Sequence, residues 1–311
     1  MKPKMMIRMA LVCLAVMTAS QTFAQQNAGH TQYLWNQLSL NPAYAGSKKS
    51  LATGLSYRAQ WLGIEGAPLT ENFFVHSPLS HGQFGTGLNV MRDRLGITNN
   101  LNAQASFAYK MNFDFGTISV GMSGVVDHTT LQWTSVDPTD QVDPSIPYAD
   151  VSQLDFNAGF GLHFQREEMF FGLSVPRLLE NEVGYPVPET NVSALLQGRR
   201  HIHAIGGYMW QANRYIWVQP YFMTRYVAGA PFQLDLGCLV QFNKTVWVGG
   251  SFRWGDSVDF LLNYNLSKQL KLGYSFDFSV TKIQGHAGSH ELFLGYELRK
   301  KKDGYNHPRF F

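Results

Sequence analysis

The chain has 311 residues, with 25 Lys and Arg against 22 Asp and Glu, a formal charge of +3, and only 15% of its residues are charged. A balance this close to neutral argues against a nucleic-acid partner. Charge well below the usual quarter of residues, with 14% aromatics and 29 glycines, is unlike an ordinary soluble domain.

In chain order, the first element is a signal segment, residues 1–24. Lys2, Lys4 and Arg8 precede an apolar run from Met9 to Ala19, and Thr22-Phe23-Ala24 places a small residue before the cut. The run is too short to span a bilayer, which takes roughly 20 apolar residues. Cys13 lies inside it rather than after a small-residue cleavage site, so a lipoprotein is not expected. Cleavage removes three of the basic residues, leaving 22 against 22 acidic and no net charge. It also leaves Cys238 as the sole cysteine, which excludes an internal disulfide.

Residues 25–50 follow as a pre-barrel segment containing NQLSLNPAYAG. Asn41-Pro42 followed by Ala43, Tyr44, Ala45 and Gly46 is turn chemistry.

From residue 51 to 298 the pattern changes to strict alternation, the period of a strand. In LKLGYSFDFSV, Leu270, Leu272, Tyr274, Phe276, Phe278 and Val280 share one face, opposite Lys271, Gly273, Ser275, Asp277 and Ser279. Substituting Ser at Gly273 or Gln233, on the polar face, is expected to matter little. In GTISVGMSGVV, Ile118, Val120, Met122 and Val126 oppose Thr117, Ser119 and Ser123. Such faces run about ten residues, the length that crosses a membrane in tilted strands.

About 14 such segments are predicted, near 51–62, 70–79, 83–92, 101–112, 115–128, 153–166, 169–175, 201–211, 215–226, 231–242, 245–254, 257–266, 269–279 and 289–298. Their even-numbered connections are short. The odd ones include long stretches at 63–69, 93–100, 129–152 and 176–200. Alternation of short and long connections is the rule of bacterial outer-membrane barrels. The predicted fold is therefore all-β, a transmembrane antiparallel up-and-down β-barrel with an N-terminal periplasmic or plug segment. Outer-membrane lipid surrounds it, and both termini face the periplasm. A soluble β-sandwich or lipocalin-like barrel is the alternative.

Residues 299–311 form a periplasmic tail with Lys300-Lys301-Lys302, a solvated stop or a contact for an acidic periplasmic partner.

Chemistry is sparse. No phosphate loop, HExxH or GxSxG occurs, so neither a cofactor nor catalytic residues are expected. His201 and His203 share a strand face and read as wall residues rather than a metal pair. Asp137, Asp140, Asp143 and Asp150 read as a solvated outer loop, with a divalent-cation site as the sharper alternative.

QYLWNQLSLNPAYAGSKKS and YRAQWLGIEGAPLTENFFVHSPL, then GTGLNVMRDRLGIT, FAYKMNF, GLSVPRLL and GSHELFLGYEL, resemble the PorP/SprF family of type IX secretion system outer-membrane proteins over nearly the whole mature chain. The resemblance implies a non-enzymatic barrel that works with periplasmic subunits of that apparatus and helps export or anchor cargo, gliding adhesins included. A fatty-acid-transporter-like barrel for hydrophobic small molecules is the rival, since such barrels share the strand number, an N-terminal plug and an Asn-Pro-Ala turn.

The same resemblance draws attention to Tyr33, Trp35, Asn41, Pro42, Tyr44 and Gly46. Aromatic rings ahead of the first strand have no lipid to face. They are expected either to plug the barrel mouth or to pack on a partner at the periplasmic rim, with Asn41-Pro42 setting the bend.

Overall fold

The computed structural model describes residues 29–48, 50–79, 82–137, 149–186, 193–281, 283 and 285–298. Residues 1–28 with the signal, Ser80 and His81 of the second connection, Asp140 and Asp143, and the tail 299–311 with Lys300–Lys302 lie outside them.

The alternating segments form strands β1 (Leu51–Ala59), β2 (Leu69–Leu79), β3 (Phe84–Leu95), β4 (Thr98–Phe113), β5 (Gly116–Leu131), β6 (Val151–Gln165) and β7 (Met169–Val175). After a small separate hairpin of β8 (Glu182–Pro186) and β9 (Ser193–Gln197) come β10 (His201–Tyr208) and β11 (Trp210–Gln211). The series ends with β12 (Ile216–Val227), β13 (Gln233–Phe242), β14 (Val246–Arg253), β15 (Ser257–Asn265), β16 (Leu270–Ser279) and β17 (Ser289–Leu298).

Neighbours pair antiparallel in chain order, and β1 pairs with β17 from Leu51↔Leu298 to Ala59↔His290. Strands β10 and β11 both pair with β12 and make one stave. The break falls at Met209, whose N–H donates instead to Glu168 O (2.6 Å). The closed wall therefore has 14 staves, with β8 and β9 outside it. Closure leaves no unpaired edge, the condition a sheet must meet in lipid.

The register puts the predicted faces where the alternation requires. Leu236, Leu272, Phe278, Leu292 and Met122 are exposed on the outside, with Tyr57, Phe73, Phe107, Phe156 and Phe260 around the same belt. Cys238 lies on this outer face. Inward positions include the buried polar residues Asn89, Gln104, Ser123, Gln219, Asn263 and Ser275, together with large buried rings such as Phe74, Tyr221, Trp247 and Phe293.

Two of the predicted long connections are different in fact. Residues 93–100 are not a loop. Strands β3 and β4 run on to a tight turn at Gly96-Ile97, paired from Phe84↔Tyr109 to Leu95↔Thr98. Arg92, Arg94, Asn99 and Asn100 break the apolar alternation because this end passes the apolar band, while the ladder continues with polar side chains (Arg92 Nε to Asn99 Oδ1, 3.0 Å). The stretch 176–200 contains the β8–β9 hairpin, paired from Glu182↔Gln197 to Pro186↔Ser193. The parity itself stands: even connections are short turns such as Asp114-Phe115, at the same end as Leu51 and Leu298.

Candidate functional site inside the barrel

Residues 29–48 occupy the barrel interior. Two 3-10 turns, Gln37–Ser39 and Pro42–Tyr44, shape the segment. Asn41 caps the second: its Oδ1 accepts from Ala43 N–H (2.9 Å), and Pro42 sits at the first position, where a missing donor costs nothing. Gly46 closes the motif at φ 62°, a conformation glycine adopts without strain.

The segment folds back on itself in the lumen: Trp35 reaches the short-turn mouth, and Ser39 and Leu40 return to line one cavity with His30. Its leading end is tied near the long-connection rim. Thr31 N–H donates to Glu291 Oε2 (2.7 Å) and Thr31 Oγ1 to Asp277 Oδ2 (2.7 Å). Arg58 bridges both acids, 2.6 Å from Asp277 and 3.4 Å from Glu291, and its Nη1 donates to Thr31 Oγ1 (2.9 Å). All three charged side chains are buried, so removing one strands the others. His30 Nδ1 is 3.9 Å from Glu291, but burial, then Arg58, Arg225 and Arg253, lower its pKa to about 3. The ring is neutral and makes no ion pair.

Next along the segment, Tyr33 packs edge-on to Tyr221 (centroids 6.0 Å) and Trp35 to Trp247 (5.3 Å), and Asn36 Nδ2 donates to Asn72 Oδ1 (2.7 Å). Tyr44 lies between His76 and His163, with centroids at 5.3 and 5.4 Å. Gly46 N–H donates to His76 Nδ1 (3.1 Å), and Lys110 Nζ donates to Gly46 O. This trailing end lies near the short-turn rim, from which the chain enters β1.

Glycines in the wall admit the bend. A Cβ on Gly121 of β5 would stand 2.2 Å from Ala43 N, one on Gly161 of β6 2.0 Å from Asn41 Oδ1, and one on Gly85 of β3 2.0 Å from Ala45 O. At Gly85 and Gly121 wall and segment backbones therefore touch directly, while at Gly161 the wall meets the Asn41 and Pro42 side chains, and Asn41 Nδ2 donates across to Leu162 O (2.8 Å).

All six expected site residues are thus brought together and buried. Tyr33, Trp35, Asn41 and Tyr44 expose 2%, 6%, 1% and 1%, and Pro42 and Gly46 are buried with them. In this conformation Tyr33 and Tyr44 are not offered to a partner at the rim, whereas Trp35 borders the cavity in the short-turn mouth. Sequence reasoning missed the residues that receive the segment: Gly85, Gly121 and Gly161, the Arg58–Asp277–Glu291 clamp, and Lys271, whose Nζ lies 3.3 Å over the Trp35 ring. Glycine on the inward register of a strand was the legible signal. Gly273 differs from these: a Cβ there would meet the Asn263 side-chain oxygen at 2.3 Å and Phe293 Cβ at 3.1 Å, both within the wall, so the expected tolerance of Ser requires the Asn263 side chain to turn aside.

His201 and His203 are buried lumen-facing wall residues, rings 6.2 Å apart, with His203 opposite Arg225. Among the described residues no group of three or more His, Cys, Asp or Glu is arranged to hold a metal. Asp150 accepts from Thr134 Oγ1 (2.8 Å) and Thr134 N–H (3.0 Å) in the fifth connection.

Against this geometry, the family described as type IX secretion system membrane protein PorP/SprF matches residues 22–296. The chain belongs to the PorP/SprF family. It is an outer-membrane β-barrel of a secretion apparatus, and neither this family nor this fold is a known enzyme class. No curated protein matches the PorP/SprF chain significantly. Among solved structures it resembles the TodX deltaS2S3 mutant, a monoaromatic hydrocarbon channel, at 12% identity over 91% of this chain and 98% of that one, with TM-score 0.50. A Pseudomonas aeruginosa FadL homologue aligns at 10% identity over 84% and 92%, TM-score 0.49. Omp33 of Acinetobacter baumannii aligns at 7% over 82% and 100%, TM-score 0.45. At such identities the likeness concerns the barrel fold alone.

Proposed function

We propose that this PorP/SprF barrel is a plugged docking body of the type IX apparatus, not a conduit. It assists export or surface anchoring of cargo, adhesins among them, from the outer membrane. One observation carries the reading: in a chain of this family, residues 29–48 bridge the lumen, in contact with Gly85, Gly121 and Gly161 of the wall on one side and with Tyr221, Trp247 and Glu291 on the other. A polypeptide in transit has no path past such a contact. The segment acts as a plug, and the Tyr33 and Tyr44 rings seal it rather than grip a partner. The short-turn end, where β1 starts and β17 ends, faces the periplasm and meets the periplasmic subunits. The leading end of the plug then lies toward the outer side. Transport of hydrophobic small molecules takes support only from fold likeness.

Two measurements test this. A deletion strain loses cargo from the cell surface, and the full chain restores it; normal display in the deletion strain refutes the role. In a Cys238→Ser background, Ala228→Cys labels from outside intact cells and Ser267→Cys does not. The opposite pattern inverts the orientation.

A further inference from the structure

The short-turn mouth has a chemistry that neither plugging nor lipid contact requires. It holds a cavity of about 320 Å³, within the roughly 300–1,000 Å³ of ordinary ligand sites. Its floor is the Trp35, Trp247, Phe74 and Phe293 rings, and its rim carries Lys48, Lys244, Lys268 and Lys271. Among the described residues Glu297 is the single acid in the lining, and Ser50 Oγ donates to its Oε1 (2.9 Å). Lys271 Nζ lies over Trp35 at 3.3 Å and within 5.7 Å of Trp247. Lys244 and Lys268 are exposed on the turns after β13 and β15. Four lysines thus crowd one opening of a mature chain whose 22 basic and 22 acidic residues cancel as a whole.

We propose that this mouth is a binding site for an acidic peptide segment carrying an aromatic side chain, presented by a periplasmic protein. The proposal rests on the orientation given above and names the site and chemistry of that contact. Charge complementarity selects the carboxylates: a net excess of three cations over a ring-lined floor recognises acidic groups at the rim and an apolar group below. The position selects a peptide over a lipid headgroup. Gln241, Trp247, Phe293, Gly295 and Glu297 in the lining point into the barrel, and only its edge reaches the outward Leu270 and Tyr296, so most of the cavity faces the axis rather than the flank where lipids pack.

The test uses the full mature chain in detergent and a dye-labelled Asp-Glu-Asp-Phe peptide, with Asn-Gln-Asn-Phe amide as the neutral control. The variant is Lys244→Asp with Lys268→Glu. Both positions are exposed, and Asp tolerates the φ of 57° at position 244. The acidic peptide is expected to bind, more weakly as salt rises, the neutral one not to bind, and the variant to lose about tenfold or more in affinity. Unchanged binding by a variant with wild-type thermal stability overturns the proposal, as does absence of binding to the wild type. A third result also overturns it: phosphatidylglycerol retained through Lys244 and Lys268 with no peptide signal makes a lipid headgroup the occupant. Cargo display in the deletion strain is scored separately. Lost display with no peptide binding defeats the mouth and leaves the secretion role standing.

Discussion

Gly121→Ala is the sharpest probe of the plug. The added Cβ stands 2.2 Å from Ala43 N, 2.4 Å from Ala43 Cα and 2.5 Å from Pro42 C. Ordinary contact begins at 3.4 Å, so Ala43 must retreat by at least the 1.2 Å between the 3.4 Å and 2.2 Å values. The clash is with backbone, and Ala43 is fully buried, so no rotamer relieves it. A shift of that size takes the 2.9 Å bond from Ala43 N–H to Asn41 Oδ1 out of range. Overpacking plus one lost buried hydrogen bond costs roughly 2–4 kcal/mol. That moves the docked-to-undocked balance by about 30- to 1,000-fold. The wall strand keeps its ladder, because Gly121 pairs Ala108 and Gly161 through backbone alone. The variant is therefore expected to insert and remain heat-modifiable on gels, while residues 29–48 become protease-sensitive and the barrel conducts in planar bilayers. Gly124→Ala is the internal control: same strand, outward face, nothing within 4 Å of its Cβ. A Gly121→Ala barrel as closed and protected as the Gly124→Ala barrel would refute the docking described here.

Three further outcomes follow from the same geometry. Leu236→Arg and Leu272→Arg, on the exposed lipid belt, should each lower unfolding free energy by about 2–4 kcal/mol near the midplane; equal losses at inward Gln241→Ser would mean the faces are assigned wrongly. Replacing Tyr33, Trp35 and Tyr44 together by Ala removes three buried rings, each worth about 3–5 kcal/mol on truncation, and should raise small-solute leakage with the barrel still assembled; a variant that stays tight shows that the rings do not seal the lumen. Arg58→Met leaves Asp277 and Glu291 buried without their shared cation and should cost about 3–5 kcal/mol, read as a fall in thermal midpoint in detergent; an unchanged midpoint would remove the clamp from the account.

The alternation of Leu270, Leu272, Tyr274, Phe276 and Phe278 against Lys271, Gly273, Ser275 and Asp277 was sufficient to orient β16, because a strand has only two faces and lipid accepts one of them. The same logic applied to every stave, and the parity of the connections followed from the count. It failed at residues 93–100, where the ladder continues beyond the apolar band and backbone pairing no longer needs apolar side chains. It failed again at the β8–β9 hairpin, which lies outside the wall. The motif NPAYAG announced its own turn, since Asn41 and Pro42 act on neighbours one or two residues away. Where that turn goes was decided by the closed wall. Gly85, Gly121 and Gly161 lie on three different strands, and nothing local distinguishes them from other glycines until closure brings them against Ala45, Ala43 and Asn41. The clamp of Arg58, Asp277 and Glu291, and the mouth built from Lys48, Lys244, Lys268 and Lys271, are likewise products of closure. Each joins residues some 200 positions apart in the chain, whose charges meet only because β1 pairs with β17.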